Sequence, residues 1–349
     1  MSSRLRWPGL GSHDLGVWLT VILVVIACTV PLWIDPYVEL ELTLAFGYCV
    51  ACLGLNLLTG YTGQVSLGQS FFFAAGAYFT AWLVVTEHVQ YLVALPIAVV
   101  LSFAVGLALS VPVVRLRGFN LGLVTLGLGL ASTPLAQKLT GLTGGNIGLQ
   151  LPSLRAVIDP AWSIGVFMYY VALILLLLAV LLMLLLVRGQ VGRSMVAVRD
   201  HEDAAAAVGV WPSWVKARSF ALSAAMAGAG GWVYALVVGY VVPTSFPFIL
   251  SVYLLAGIVV GGAGSIFGSI IGGMIVEFVP PLTGSINEGA AGLVLGAVLV
   301  LAVLFVRRGI VGTITSLFGR FNGRLDSSHP TGIGDVFGDD QSTKTLEVP

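Results

Sequence analysis

Five basic residues, Arg188, Arg193, Arg199, Lys216 and Arg218, share one short stretch with three acidic ones, Asp200, Glu202 and Asp203. The rest of the chain largely avoids charge. At the centre of the stretch Glu202-Asp203 precede Ala204-Ala205-Ala206-Ala207, and Val208-Gly209 follow. Alanine loses no side-chain entropy on helix formation, and carboxylates favour a helix N-terminus. The spacing therefore predicts a short helix over the alanines, with Gly209 as its stop. Such a set does not perform bond-making chemistry. A small, smooth helix flanked by charge is a shape that another protein can grip.

A second set of polar residues is scattered through apolar runs. Asn56, Gln64, Ser66, Gln69, Thr125, Thr143 and Asn146 are amides and hydroxyls that could pass a polar solute without trapping it. Asn120, Ser132, Thr133 and Gln137 accompany them. Glu277 lies just before Pro280-Pro281, where a boundary position removes most of the cost of a charge in lipid. No nucleophile, base and orienting group occur together, and the four histidines are dispersed. The chain is not expected to be an enzyme, and neither a metal nor a cofactor is expected. No Gly-x-x-x-x-Gly-Lys-Ser/Thr stretch is present, so nucleotide would have to be bound elsewhere. The energy source is either an ion gradient or another subunit.

These residues must be held by a membrane bundle. Hydrophobic residues make up 58% of the chain and charged residues 9%, and the mean hydropathy is +1.01. Soluble domains carry roughly 25% charged residues. Apolar runs extend over residues 15–34, 38–58, 65–85, 92–114, 119–139, 164–187, 220–240, 250–262, 266–279 and 289–306. A crossing needs about twenty such residues. The expected fold is an all-α, polytopic membrane protein with about ten transmembrane helices, some of them short or broken. Residues 1–14 and 313–349 are expected to be cytoplasmic, the latter as a disordered tail; residues 15–312 form the membrane domain, with a cytoplasmic loop at 188–218. Arg4, Arg6, Arg115, Arg117, the central island, Arg307, Arg308, Arg320 and Arg324 all fall on one side in this scheme. That bias puts both termini in the cytoplasm. Cys49 and Cys52 are read as structural.

Glycine clusters mark where helices should break. Gly54, Gly60, Gly63 and Gly68 are interleaved with Asn56, Thr59, Gln64, Ser66 and Gln69, and a second cluster holds Gly261, Gly262, Gly264 and Gly268. Irregular backbone survives at membrane depth only under protein or water cover. Gly60, Gly63, Gly68, Gly261, Gly264 and Gly268 are the expected hinge positions. Gly60-x-x-Gly63 and Gly261-x-x-Gly264 occupy corresponding places, which hints at duplicated halves of the kind found in transporters. Gly76, Gly228, Gly230 and Gly231 are read instead as sites of close helix packing.

Several segments together resemble one family. They are residues 55–68, Thr143-Gly144-Gly145-Asn146-Ile147-Gly148-Leu149, Gly192-Arg193 through Gly209, residues 261–268, and Phe305-Val306-Arg307-Arg308-Gly309-Ile310-Val311-Gly312. In order and spacing the chain resembles the permease subunits of bacterial branched-chain amino acid ABC importers, particularly the M-type member of the H/M pair. Two departures are Gln69, where members often carry His, and Ala131-Ser132, where an acidic residue is common. The resemblance implies ABC-importer permease architecture in the inner (plasma) membrane and uptake of branched-chain or other small amino acids by alternating access. It implies two ATPase subunits, a second H-type permease and an extracytoplasmic solute-binding protein as partners, besides membrane lipid; nucleic acid is not among them. It also implies that Arg199, Glu202, Ala204, Ala205 and Gly209 belong to a coupling helix seated in an ATPase cleft. Two alternatives stay open at this point: a stand-alone ion-coupled transporter of a small polar solute, and an ABC permease for urea or short amides.

Overall fold

In a computed structural model, residues 25–113, 119–152 and 163–284 are described. The long helices are α1 (Pro36–Asn56), α2 (Gln69–Val85), α3 (Tyr91–Val113), α4 (Phe119–Lys138) and α6 (Ile164–Arg188). After two shorter helices, α7 (Gln190–Asp200) and α8 (Glu202–Ala207), come α9 (Pro212–Val238), α10 (Phe248–Gly261) and α11 (Ile266–Gly284). A single turn, α5 (Thr140–Thr143), follows α4. Among the described residues, five stretches are long and apolar enough to cross a membrane: Pro36–Tyr61, Tyr91–Pro112, Ile164–Arg188, Pro212–Val238 and Pro243–Gly261. Of the ten expected runs, 289–306 lies outside the described residues, and so does the first half of 15–34. The expected termini, 1–14 and 313–349, lie outside them as well.

The helices sort into a centre and a periphery. In α1 and α9, 78% of the apolar window is buried within the chain, against 22% in α3 and 28% in α6. Composition explains the order. α9 carries Ala224, Ala225, Ala227, Gly228, Ala229, Gly230 and Gly231, which let neighbouring backbones come close, and it packs on α1, α2 and α3. At Gly76 of α2 a side chain would collide with the Gly228 backbone, and at Gly231 with the Phe73 carbonyl. The leucine-rich α6 instead exposes Ile174, Leu178, Leu181 and Leu185, as a lipid-facing helix should. Aromatic rings of Phe73, Tyr78, Tyr234 and Phe246 pack edge-on within the core of the bundle.

Two departures from a plain helical bundle matter. Leu149–Gln150 pairs antiparallel with Tyr240–Val241, a two-residue ladder that ties the α4–α6 connection to the C-terminal end of α9. The stretch expected as a cytoplasmic loop, 188–218, is mostly helical. α7 buries Gly192, Met195 and Val198 against the bundle, and α9 begins at Pro212, earlier than the apolar run suggests. Proline at the first helical position is pre-organised for that start. Cys49 and Cys52 are buried and free, facing the Ile270 and Leu254 carbonyls across the α1–α10–α11 packing.

Candidate coupling site and helix joints

The alanine block folds as α8, with Glu202 and Asp203 in its first turn. Gly209 follows in the left-handed region, at φ +85, with open space where a side chain would be. Its backbone therefore ends the helix without any steric demand from neighbours. Ala205 is buried against the chain itself, whereas Ala204, Ala206, Ala207 and Val208 face outward, Val208 at 79% exposure. Of Ala204 and Ala205, expected together on a gripped face, Ala204 is exposed and Ala205 is turned into the chain.

Glu202 and Arg199 also bond to the chain itself. Glu202 Oε2 receives a 2.7 Å charge-assisted hydrogen bond from Lys216 Nζ in the second turn of α9. Lys216 is buried, so its carboxylate partner offsets the desolvation of the ammonium. Arg199 Nε donates to Asp200 Oδ1 at 3.0 Å, and its Nη1 donates to the Gly60 carbonyl at 3.0 Å. The short helix is therefore held to the bundle on both sides. In the sequence Lys216 stood out only as one of the five basic residues, without a partner. Its separation of fourteen residues from Glu202 crosses a helix end, where periodicity gives no signal.

Gly60 lies in the first helix joint. α1 continues past Asn56 into a π-helical turn, Leu57–Tyr61, and residues 62–68 then run back without helix to Gln69. Much of this irregular stretch is satisfied within the chain, although buried Gln64 Oε1 has no hydrogen-bond partner and Gly63 and Val65 are exposed. The Leu58 carbonyl accepts from Gln64 N and Thr62 Oγ1, and Leu67 N donates to Thr125 Oγ1 at 3.1 Å. Gln69 Nε2 donates to the Ala51 and Ser223 carbonyls, and its Oε1 accepts from Ser223 Oγ. Ser70 N donates to Ser251 Oγ of α10 at 2.8 Å. Protein cover of this kind is what irregular backbone at membrane depth requires.

The second joint is the stretch 262–265 between α10 and α11, where Gly262 and Gly264 adopt φ +121 and +82. Asn56 connects the two joints. Its Nδ2 donates to the Ser265 carbonyl at 2.9 Å, and its Oδ1 accepts from Gly264 N at 2.8 Å. A side chain at Gly60 would collide with Asn56 Oδ1 and Gly264 N, which fixes glycine there by close approach. Gly63, at φ +69, needs glycine for its conformation, and the stem of Arg199 lies over it. Gly68, Gly261 and Gly268 are contact glycines against the Thr125 carbonyl, Gly268 and the Gly261–Gly262 backbone respectively.

The residues expected to line a passage do not gather in one place. Asn56, Gln64, Ser66, Gln69 and Thr125 collect around the first joint, all buried. Thr143 is buried at the end of α5, donating to the Leu139 carbonyl, and Asn146 is exposed in the turn leading to the two-residue ladder, away from that joint. Ser223, Ser251 and Ser265 complete the hydrogen-bond set and were missed by sequence. For Ser223 and Ser251 the signal was a hydroxyl inside an apolar run, weaker than an amide; Ser265 takes part through its carbonyl, which any residue would supply.

Comparison with known proteins agrees with this architecture. Residues 38–303 match the family described as branched-chain amino acid transport system / permease component. The high-affinity branched-chain amino acid transport system permease protein LivM of Salmonella typhimurium (strain LT2) is 33% identical over 292 residues, covering 77% of this chain and 68% of LivM. LivM of Escherichia coli (strain K12) matches at the same identity and coverage. The corresponding protein LivH of Escherichia coli (strain K12) is 24% identical over 295 residues, covering 77% of this chain and 92% of LivH. No solved structure matches the chain. By the extent of the family match and its identity to LivM, the chain belongs to the permease components of branched-chain amino acid transport systems.

Proposed function

We propose that this chain is one permease half of an ATP-binding-cassette importer in the bacterial inner membrane, moving branched-chain or other small amino acids inward by alternating access. Two ATPase subunits supply the energy, an H-type permease completes the pathway, and an extracytoplasmic protein delivers the solute. Both termini lie in the cytoplasm. The observation that carries the reading is α8. A six-residue helix with an outward face of Ala204, Ala207 and Val208 is fastened to the bundle through Lys216 and Arg199. Small outward side chains permit close seating in a cleft, and the fastening makes a pull on the helix a pull on the bundle. Arg199, Glu202, Ala204 and Gly209 serve this coupling, with Ala205 as its inward anchor. Asn56, Gln64, Ser66, Gln69 and Thr125 border the moving joints, and Gly60, Gly63, Gly68, Gly261, Gly264 and Gly268 let those joints form. Thr143 and Asn146 belong to the opposite mouth.

The test is co-expression with the two ATPases and the second permease, followed by reconstitution with the binding protein. ATP-dependent leucine uptake that disappears when residues 202–209 are replaced by a Gly/Ser linker is expected. Accumulation by this chain alone, without ATPases, would overturn the assignment.

A further inference from the structure

Arg199 is the point at which α8 meets the membrane joints, and its environment is more specific than a fastening requires. The residue sits in the last turn of α7, shortly before α8 begins. Asp200 takes one edge of its guanidinium, at Nε, and so turns the Nη1 edge toward Gly60, 139 residues away in sequence. The Arg199 stem crosses Gly63, where a Cβ would lie 2.8 Å from Arg199 Cγ. The groove along which the side chain enters is therefore open only because position 63 is glycine.

The carbonyl it reaches belongs to an unusual element. A π-helical turn is rare, and it survives where its displaced carbonyls find partners outside the regular ladder. In Leu57–Tyr61 the Leu58 carbonyl finds Gln64 N and Thr62 Oγ1, and the Gly60 carbonyl finds Arg199. Asn56, the residue before the turn, holds the second joint through Gly264 and Ser265. Hydrogen bonds at Arg199 and at Asn56, joined by the short backbone segments 199–202 and 56–60, thus connect α8 through the π turn to the α10–α11 joint.

We propose that Arg199 is the positioning residue that carries motion of α8 into the paired helix joints, by holding or releasing the Gly60 carbonyl. The inference rests on the reading of α8 as the ATPase handle. When a docked ATPase displaces α8, Arg199 moves with it and the Gly60 carbonyl loses its external donor. The π turn then has reason to return to α-helical geometry. That change absorbs one residue, which rotates the end of α1 by about 100° and shifts it by about 1.5 Å. Asn56 transmits the shift to Gly264 and Ser265. A residue that merely fastened α7 would affect assembly and stability, but not how nucleotide is converted into movement.

The experiment uses the complete importer in proteoliposomes, with Arg199→Met and Arg199→Lys. Methionine keeps a stem over Gly63 but donates nothing; lysine keeps a charge and one usable donor. Two readouts are taken: leucine moved per ATP hydrolysed, and hydrogen exchange of residues 57–65 and 262–266 with and without trapped nucleotide. Arg199→Met is expected to assemble and hydrolyse ATP, to lose about tenfold in leucine per ATP, the scale of one charge-assisted hydrogen bond, and to show exchange that no longer responds to nucleotide. Arg199→Lys is expected to recover part of both. Unchanged coupling and unchanged nucleotide response in Arg199→Met would overturn the proposal. If Arg199→Met does not assemble, Arg199→Lys decides by the same readouts: wild-type coupling with a wild-type nucleotide response in 57–65 overturns it, and reduced coupling with a damped response supports it. Failure of the wild-type chain to retain any ATPase would overturn the underlying reading of α8 instead, before Arg199 is tested.

Discussion

The Asn56 side chain of α1 and the Gly264 backbone between α10 and α11 are joined by a 2.8 Å hydrogen bond, 208 residues apart in sequence. Asn56 returns a second bond to the neighbouring Ser265 carbonyl at 2.9 Å, so one amide satisfies a donor and an acceptor of the same joint. Replacing Asn56 with alanine would leave both backbone groups, on half-buried Gly264 and Ser265, without this partner. The expected loss is about 1–3 kcal/mol of stability for these groups. Thermal unfolding of the detergent-purified complex measures it. An Asn56→Asp variant keeps the acceptor, turns a carboxylate toward the Ser265 carbonyl, and is expected to be no more stable than alanine. A wild-type melting temperature in both would remove Asn56 as the link between the joints.

The Lys216–Glu202 pair gives a second prediction. Lys216 Nζ lies 2.7 Å from Glu202 Oε2, with side-chain exposures of 9% and 25%. Removing either partner leaves a poorly solvated charge, whereas removing both leaves none. Glu202→Gln and Lys216→Met should each release α8 to limited proteolysis, and the double variant should be less sensitive than the sum of the two. A coupling energy of about 1 kcal/mol or more from the cycle is expected. Strict additivity would mean that the two side chains act independently.

How much of this was legible beforehand follows the range of each interaction. α8 and its stop were readable because alanine, first-turn carboxylates and a terminal glycine act locally. The two joints were readable from their glycines. The π-helical turn was not, because residues 57–61 carry no composition that separates a π turn from an α turn. Asn56 and Gln69 were conspicuous as amides in apolar runs, which says that each needs a partner. Whether that partner is a solute or another helix depends on contacts across 208 residues for Asn56 and 154 for Gln69, which sequence does not encode locally. The Lys216 partner and the two-residue ladder were hidden for the same reason.

The glycines supply a contrast between close approach and empty space. At Gly76 of α2 even a methyl group would run into the Gly228 backbone, while at Gly127 of α4 nothing lies within 4 Å. Gly76→Ala should part α2 from α9 and lower folded yield sharply. Gly127→Ala should raise stability of the isolated chain by about 0.5–1 kcal/mol, because alanine is the better helix former. Scanning fluorimetry of the two variants side by side checks the pair. Equal effects of the same sign would contradict the packing of α2 on α9.

Gly209 tests conformation without packing. Its φ of +85 disfavours any side chain, yet open space surrounds the position. Gly209→Ala should therefore cost about 1–2 kcal/mol locally, since the left-handed region crowds Cβ against backbone oxygen. Asparagine, which tolerates that region better, should cost less. The effect should appear as weaker retention of the ATPase on the purified permease, ordered wild type, Asn, Ala, with the melting temperature of the membrane bundle little changed. A bundle that melts early in Gly209→Ala would show that this turn supports the fold rather than the handle.

Glu277 separates ATP-driven from ion-coupled transport. It is the carboxylate in the second half of α11, partly exposed, before Pro280 and Pro281. An ion-coupled transporter would need a titratable group in its pathway, and intramembrane carboxylates usually fill that role. In an importer powered through α8 the same residue has no such duty. Glu277→Gln should leave ATP-dependent leucine uptake within about twofold of wild type, since no pathway charge is lost. Uptake should also persist when a protonophore collapses the proton gradient in the proteoliposomes. Loss of uptake in Glu277→Gln together with protonophore sensitivity of the wild-type complex would transfer the driving force from ATP to protons.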